Sequence, residues 1–315
     1  MQLKSLIIFK IVGMAKLAIG IDLGGTRIKG VAIDEFGVVL YRHYQPTNDG
    51  DDSNWKAGVA EAVFEVQNQI EEKSYIIGIS APGLPNKDNS AIAYMPGRLQ
   101  GLENFVWTNF LKTHTYVVND AIAAMMSEAR FGAAKGKKNV AMLTLGTGVG
   151  GAIMIDGKPY QGAFNKAGHL GHMVIDSDGP QDITGIPGSL EDAIGNCTIK
   201  ARSLGRFTTT HQLIEAYKKG DIFATEVWLT SVKKLAIGLA SLTNILSPEM
   251  IILGGGITEA GKDLFQPLAE FMGIYEWRTG GNKTEIVAAE YGDLAGAVGA
   301  ACFAMESKNG ILQFL

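Results

Sequence analysis

Cysteine is scarce in this sequence, and the scarcity excludes one class of protein. Only Cys197 and Cys302 occur among the 315 residues. Two cysteines cannot build the disulfide framework of a small secreted domain, and so few are typical of a reducing compartment. We therefore expect a cytoplasmic protein.

Positive charge and long apolar runs are also lacking. The formal net charge is −4 and no basic stripe occurs, which argues against nucleic acid as the main partner. The apolar patch at 6–12 contains Lys10 and is too short to span a bilayer, and no small-residue cleavage site follows it, so we expect neither a membrane span nor a signal peptide. Because "MAKLAIGIDLGG" runs straight into a strand pattern, we expect translation to begin at Met14.

Apolar residues and glycine are abundant instead. Hydrophobic residues make up 46% of the chain and charged residues 19%, which is enough for a large core and, at this length, for about two domains. The 40 glycines cluster rather than repeat. Such clusters are typical of tight backbone sites, not of low-complexity sequence.

Hydrophobic periodicity predicts two successive halves of similar layout. The first half reads as three short strands, a helix over 55–73, the strand "SYIIGIS", a short helix over 103–112, the strand "TYVVND" and a helix over 121–131. The second half reads as a strand, glycine turn and strand at "NVAMLTLGTGVGGAIMIDG", a helix over 222–246, the strand "EMIILGGGI", a helix over 259–272, the strand "TEIVAAEYGD" and a final helix at "LAGAVGAACFAM". We therefore predict an α/β protein of two lobes, 1–118 with 292–315 and 119–291, separated by a ligand cleft.

The first glycine cluster follows an aspartate at the end of a strand. In "IGIDLGGTRIKG", Asp22 precedes a turn made of Gly24, Gly25 and Thr26. Successive N–H groups in such a turn can bind a phosphate, and the carboxylate could hold Mg²⁺ through water. An ordinary hairpin with a structural glycine turn explains this motif alone equally well.

Two further glycine clusters also follow predicted strands and could also contact a nucleotide. The string "GTGVGG", with Gly146, Thr147 and Gly148, matches a dinucleotide-binding pattern, but a strand follows where that pattern requires a helix, so we reject this interpretation. The third cluster is Gly254, Gly255 and Gly256, which ends a buried strand pattern before a helix. It suits packing against a nucleotide base or ribose, or it is a simple strand-to-helix turn.

The ordered set of motifs resembles the ROK family (repressors, open reading frames and sugar kinases). Asp-x-Gly-Gly-Thr, Asn-Asp, Leu-Gly-Thr-Gly-x-Gly-Gly, Gly-His and Leu-Gly-Gly-Gly follow one another within about residues 17–305. The resemblance implies the two-lobed hexokinase/actin-like ATPase fold, which is ribonuclease H-like. It also implies ATP with Mg²⁺ near Asp22, with its phosphates on the turns at 24–26 and 146–148 and its adenosine near 254–256.

The string "VVNDAIAAM" places Asn119 and Asp120 between a strand and a helix. Helix capping alone explains both residues, because Asn and Asp are favoured at helix starts. The resemblance implies that Asp120 accepts the proton of a sugar hydroxyl as general base and that Asn119 holds the sugar. A helix N-terminus favours a charged carboxylate, so we expect Asp120 to be ionised at pH 7 and only weakly basic.

ROK kinases usually carry a zinc site made of one histidine and three cysteines. Laid on this sequence without gaps, the histidine is His172, and the cysteine positions fall on Asp182, Thr184 and Ser189. Neutral hydroxyls are weak zinc ligands, so we expect no zinc here. The loop should then be held by hydrogen bonds and by packing around Ile183, Ile186 and Leu190.

The resemblance also implies a set of sugar contacts. His169 stands where the family has glutamate, which puts glucose specificity in doubt, and we expect both histidines to face a polyol. Two alternatives for His169 stay open, a surface loop residue and a two-histidine metal site with Asp182. Arg98 could meet an anionic or amino-sugar substituent or stay solvated. The implied sugar contacts are Gly83, Gly97, Asn119, Asp120, His169, His172 and Glu191.

The expected function is therefore an ATP-dependent sugar kinase acting on a hexose-type hydroxyl, the 6-hydroxyl. The alternative is a non-catalytic sugar-binding or regulatory member of the family. A DNA-binding repressor would need an N-terminal domain, and we do not expect one from the short segment before residue 17 or from the net negative charge. The helix over 222–246 could form a homodimer interface or pack inside the core.

Overall fold

The computed structural model describes residues 17–48, 52–71, 74–95, 97 and 99–312. The apolar patch at 6–12, the expected start at Met14 and the expectations for Arg98 lie outside the described residues. They therefore stay predictions.

The first sheet has five strands in the order β3-β2-β1-β4-β7. Its strands are β1 (Leu17–Leu23), β2 (Arg27–Asp34), β3 (Val39–Pro46), β4 (Tyr75–Ala81) and β7 (Thr115–Asn119). β1, β2 and β3 form an antiparallel meander, and β4 and β7 join parallel to β1. The central strands are almost wholly buried, whereas the edge strand β3 alternates between exposed and half-buried positions. This pattern is expected for a sheet whose two faces are covered at its centre and whose edge contacts solvent. A small hairpin of β5 (Leu84–Pro85) and β6 (Ile92–Tyr94) lies in the turn-rich stretch after β4.

The second sheet repeats this layout in the order β10-β9-β8-β11-β12. Its strands are β8 (Val140–Leu145), β9 (Val149–Ile155), β10 (Lys158–Pro159), β11 (Met250–Gly254) and β12 (Glu285–Ala288). β8 and β9 form the antiparallel hairpin around the second glycine cluster, and β11 and β12 add parallel strands. The predicted pair of α/β halves is confirmed.

Each of the six predicted helices has a counterpart in the structure, but several bounds differ, and the described residues form nine α-helices. They are α1 (Asp52–Asn68), α2 (Trp107–Leu111), α3 (Asp120–Phe131), α4 (Leu190–Ile194), α5 (Ile199–Arg202), α6 (Thr210–Lys218), α7 (Ile222–Leu246), α8 (Lys262–Tyr275) and α9 (Ala295–Lys308). α2 is shorter than 103–112 because Asn104 and Lys112 adopt left-handed backbone conformations. α8 starts at Lys262 rather than 259, since a 3₁₀ turn over Gly256–Ala260 and the left-handed Gly261 precede it. α1 ends short of the predicted 73, and α4, α5 and α6 were not predicted.

Two helices, α3 and α9, form the centre of the molecule. Their side chains share one hydrophobic cluster with residues from both sheets. A Cβ at Gly20 would overlap the Ala297 carbonyl oxygen, and one at Gly78 would overlap the Ala300 carbonyl oxygen. Only glycine lets α9 approach the first sheet this closely.

The outer faces of the two sheets are covered separately. α1 packs on the first sheet, and α7 and α8 cover the second. Among the helices described, none is both long and apolar enough to cross a membrane. The lobe boundaries proposed from the sequence fall before the last residue of β7, Asn119, and ahead of α9. The division into lobes at those residues stays a prediction.

Candidate active site

Strand β1 carries Asp22 to the carboxyl end of the first sheet, next to the first glycine turn. The strand register pairs Asp22 with Lys29 on β2 and with Ser80 on β4. Accordingly, Ser80 Oγ donates a hydrogen bond to Asp22 Oδ1 at 2.9 Å, and Lys29 Nζ lies 3.4 Å from Oδ2. Burial raises the pKa of Asp22, and Lys29 and Ser80 hold back part of that rise.

Lys29 was not predicted as a site residue. Its Nζ also lies 2.9 Å from Asp293 Oδ1 and donates to the Asp293 carbonyl oxygen at 2.9 Å. Burial lowers the pKa of Lys29, but Asp22 and Asp293 outweigh it, and the net shift is upward. The signal in the sequence was the charge of Lys29 in the interior of the strand "RIKGVAID", between the apolar positions of Ile28 and Val31, because a charge that is partly buried there requires a partner.

Asn119 caps α3, as the capping interpretation proposed. Its Oδ1 accepts a hydrogen bond from the Ala121 N–H at 2.9 Å, and its Nδ2 donates to the Gly83 carbonyl oxygen at 3.1 Å. Gly83 has φ +101, and a Cβ there would lie 2.6 Å from the Tyr94 carbonyl oxygen, so glycine is required. Asn119 thus holds the loop after β4 against the start of α3.

Asp120 is the first residue of α3, and its electrostatics differ from the expectation. Its Oδ1 accepts from the Ala121 N–H at 2.8 Å. Desolvation by the surrounding protein, followed by the negative charge of Asp22, raises the pKa of Asp120 to about 6. The helix N-terminus and the hydrogen bonds oppose this rise without cancelling it, so the expectation of a weak base was wrong. Asp120 is an exposed residue, and contact with water weakens the rise in its pKa.

The two phosphate-turn candidates are held by hydrogen bonds to their carbonyl oxygens. Thr47 Oγ1 donates to the Gly24 carbonyl oxygen at 2.6 Å. In the second hairpin, the Gly146 N–H donates to the Gly148 carbonyl oxygen at 2.9 Å, and the Cys197 N–H donates to the Thr147 carbonyl oxygen at 2.8 Å. A Cβ at Gly146 would meet no atom of the described residues within 4 Å, so open space borders this turn.

The second hairpin also adjoins the start of α3. A Cβ built on Gly150 would lie 3.6 Å from Ala121 Cβ. The N-terminal turn of α3, with Asp120, therefore lies beside the second glycine hairpin and within electrostatic range of the first. This juxtaposition joins three motifs that are far apart in sequence.

The third glycine turn lies against the second hairpin. Gly255 has φ +88, and a Cβ there would overlap the carbonyl oxygen of Leu145 at the end of β8. A cavity of about 390 Å³ is lined by Gly146, Thr147 and Gly256 together with residues of α6. Its size is in the range of small-molecule sites.

Glu191 is attached to the second hairpin. Its Oε2 accepts a hydrogen bond from the Val149 N–H at 2.8 Å, and a Cβ at Gly148 would overlap that same oxygen. Glu191, Gly148 and Asp182 line another cavity, of about 810 Å³. The described lining of this cavity does not include Gly83, Asn119 or His169, so the structure brings together only part of the expected sugar site.

Asp182 organises the loop in which the family carries its zinc site. Its Oδ1 accepts hydrogen bonds from Thr184 N–H and Oγ1 at 2.8 and 2.7 Å and from the Ile186 N–H at 3.0 Å, and its Oδ2 lies 3.1 Å from His172 Nδ1. Burial raises the pKa of Asp182, but these hydrogen bonds outweigh it and hold the pKa well below its usual range. The side chain is inaccessible to solvent.

The loop is therefore held by hydrogen bonds around one carboxylate. The packing prediction was partly wrong, because Ile183 is 91% exposed, whereas Leu190 is fully buried. Ser189 caps α4 by accepting from the Asp192 N–H at 3.3 Å. Within the described part of the chain, no group of three or more His, Cys, Asp or Glu residues could hold a metal ion. The absence of zinc stays a prediction.

His169 is half-buried and precedes the 3₁₀ turn Leu170–His172. Its Nδ1 lies 3.1 Å from the Lys166 carbonyl oxygen. Burial lowers the pKa of His169, and His172 adds to the effect, so the ring is neutral at pH 7. Gly97 has φ +84 with open space around its Cβ position among the described atoms.

The fold and the site together define a two-lobed α/β protein of the hexokinase/actin-like ATPase class. The sequence profile of the ROK family matches residues 18–307. The chain therefore belongs to the ROK family. A glucokinase from Thermotoga maritima is 32% identical over an alignment of 318 positions, which covers 93% of this chain and 98% of that protein.

Solved structures agree with this assignment. The ROK hexokinase from Thermus thermophilus has a TM-score of 0.83 at 27% identity, covering 93% of this chain and 99% of that chain. A ROK family glucokinase from Streptomyces griseus, in complex with glucose and AMPPNP, has a TM-score of 0.76 at 27% identity, covering 92% of this chain and 99% of that chain. A xylose repressor from Bacillus spizizenii is also similar, with 26% identity, 93% of this chain covered and 78% of that protein.

Proposed function

We propose that this protein is an ATP-dependent sugar kinase that phosphorylates the 6-hydroxyl of a hexose-type sugar, with Asp120 as general base. The observation that carries the proposal is the position of Asp120, at the start of α3, beside the second glycine hairpin and in the field of Asp22. With a pKa of about 6, this carboxylate is largely ionised at pH 7 and more basic than an ordinary aspartate.

The proposed reaction is a direct phosphoryl transfer. The sugar oxygen attacks the γ-phosphorus, the bond to the β-phosphate oxygen breaks, and ADP leaves. The hydroxyl proton passes to Asp120. Since such transfer depends mainly on positioning and charge stabilisation, the backbone N–H groups of the turns at 24–26 and 146–148 are the main contribution of this chain to the phosphates.

Residues near Asp120 fit a magnesium ion bound with the nucleotide. Asp22 and Asp120 are two carboxylates close enough for the charge of Asp22 to raise the pKa of Asp120, and a divalent cation would relieve this repulsion. Asp22 would hold Mg²⁺ through water, where the ion supplies positive charge against the phosphates. Lys29 can remain paired with Asp293, at 2.9 Å.

We place the sugar near Asp120 with a further set of side chains, each of which has a hydrogen-bonding atom to offer. Glu191 uses Oε2 on the Val149 N–H, which leaves Oε1 for a sugar hydroxyl. His172 uses Nδ1 on Asp182 and keeps Nε2, while neutral His169 offers one further donor or acceptor. In Asn119, both Oδ1 and Nδ2 already make hydrogen bonds within the protein. A sugar hydroxyl would therefore form an additional hydrogen bond to one of these two atoms. Gly83 and Gly97 would contribute backbone groups.

The competing function is a sugar-binding regulator without catalysis, which the similarity to a xylose repressor favours. A coupled assay of ADP release over hexoses, amino sugars and N-acetyl sugars separates the two. The kinase predicts turnover with at least one sugar that Asp120→Asn abolishes or nearly abolishes. Calorimetric sugar binding without ADP release from the wild type would support the regulator instead. A homodimer interface on the helix over 222–246, which the sequence left open beside packing inside the core, stays untested.

A further inference from the structure

Thr210, the first residue of α6, has a buried hydroxyl that makes no hydrogen bond to the described part of the protein. The residue is 4% exposed, and its Oγ1 has no hydrogen-bond partner in the part of the chain that the structure describes. The preceding Thr209 differs, since its hydroxyl caps α6 by accepting from the Gln212 N–H at 3.2 Å. An unpaired buried hydroxyl destabilises a folded protein unless a ligand completes it.

The backbone ties Thr210 to the second glycine hairpin. The Thr210 N–H donates to Asn196 Oδ1 at 2.7 Å, and the Asn196 N–H donates to the Gly146 carbonyl oxygen at 3.0 Å. Thr210 also lines the same cavity of about 390 Å³ as Gly146, Thr147 and Gly256. Thr210, the residue with the unpaired hydroxyl, therefore lines the cavity that adjoins a phosphate turn.

The charges around this cavity indicate which part of a nucleotide it would accept. Glu259 lines it, and its negative charge disfavours a phosphate there. Lys218, which also lines it, is already paired with Glu215 at 3.1 Å. The region between α6 and the third glycine turn thus suits the uncharged nucleoside, while the phosphates lie on the hairpin.

We propose that the Thr210 hydroxyl hydrogen-bonds to the nucleoside part of the phosphoryl donor and selects a nucleoside triphosphate over a donor made of phosphates alone. This inference rests on the proposed kinase function. Thr210 then acts as a specificity-determining residue, because a buried hydroxyl left unpaired penalises every donor that cannot reach it.

Thr210→Val is the direct test, since valine keeps the shape and removes the hydroxyl. We expect the melting temperature of the free protein to stay the same or rise, because no internal hydrogen bond is lost. The KM for ATP should rise about 3- to 10-fold, the range for one neutral hydrogen bond. The KM for the sugar and kcat should not change. The inhibition constant of inorganic tripolyphosphate, competing with ATP, should also stay constant because it has no nucleoside.

Thr115→Val on β7 is the matched control. Thr115 is 2% exposed, but its Oγ1 donates to the Thr113 carbonyl oxygen at 2.8 Å, so this variant should melt at a lower temperature and keep the KM for ATP. The proposal is overturned if Thr210→Val behaves like the control, or if the inhibition constant of tripolyphosphate rises together with the KM for ATP.

A wild type without ADP release would count against the proposed function and not against this inference. In that case the melting-temperature increase caused by AMPPNP replaces the KM. A smaller increase in Thr210→Val than in the wild type supports a nucleoside contact, and an equal increase overturns it.

Discussion

Lys29 Nζ lies 3.4 Å from Asp22 Oδ2, and both side chains are about 85% shielded from solvent, with exposures of 16% and 15%. The pair crosses from β2 to β1 at the point where the first glycine turn begins. A buried carboxylate that loses its cation is costly, in contrast to an exposed ion pair. Lys29 therefore favours the charged form of Asp22 and holds back part of the rise in its pKa that burial causes, at the place where a nucleotide would bind.

Replacing Lys29 should destabilise the protein strongly. We expect Lys29→Met to lower the free energy of unfolding by about 3 kcal/mol. The variant removes the cation from the buried Asp22 carboxylate, which then keeps only the hydrogen bond from Ser80. The measurement is urea unfolding of wild type and variant. Lys234→Met is the control, since its pair with Asp176 is more exposed, at 33% and 35%, and should contribute less than about 1 kcal/mol. Equal losses in the two variants would contradict the role given to Lys29.

Two glycines of the second hairpin should respond differently to alanine. Gly148→Ala pushes Glu191 Oε2 away from the Val149 N–H, so we expect a loss of about 2 kcal/mol of stability, the typical contribution of a hydrogen bond to a charged group. Gly146→Ala extends into open space and should change stability by less than about 0.5 kcal/mol. Both should raise the KM for ATP. Thermal unfolding together with ATP titration of the rate checks this, and an unaffected KM in Gly146→Ala would argue against phosphates on this turn.

Asp182 should be the main support of its loop. Asp182→Ala removes the acceptor of the Thr184 and Ile186 hydrogen bonds, and we expect a loss of about 3 kcal/mol at pH 7. Because the native pKa of Asp182 is lowered, its stabilising effect is fully present above the unfolded pKa of about 4 and is lost as the pH falls further. The difference between wild type and variant should therefore shrink below pH 4.

The control for that loop is Asp178→Ala, at an exposed position of the same segment, which should change stability by less than about 0.5 kcal/mol. Metal analysis of wild-type protein, purified without chelator or histidine tag, should find no stoichiometric zinc. One zinc per chain, or equal stability of Asp182→Ala and wild type, would show that the loop is held in another way.

The hairpins and long helices could be predicted from the sequence because their signals are local. The runs around Asp22 and Gly146 alternate or stay apolar over strand lengths, and the helix over 222–246 is bounded by Asp221 and Ser247, which cap it in the structure. The short helices α4, α5 and α6 could not be predicted, because few residues carry each of them and tertiary contacts decide their conformation.

The motifs of the site could be predicted from the sequence, but the contacts between their side chains could not. The contact between Lys29 and Asp22 depends on the register of β1 against β2, which the sequence does not display. The raised pKa of Asp120 depends on desolvation and on Asp22, which lies almost a hundred positions earlier. A local argument from the helix N-terminus gave the opposite direction.

The pH dependence of kcat/KM for the sugar, in wild type and Asp120→Asn, tests the proposed role of Asp120 most directly. With a native pKa of about 6, Asp120 is protonated at lower pH, so the wild-type rate should fall below a midpoint near pH 6 and level off above it. Asp120→Asn should be about 10²–10⁴-fold slower, without that midpoint. It should fold at least as stably as the wild type at pH 8, since a carboxylate whose pKa is raised in the folded protein destabilises the fold once it is ionised. A variant that keeps the wild-type rate, or the same pH midpoint, would contradict the assignment of Asp120 as the general base.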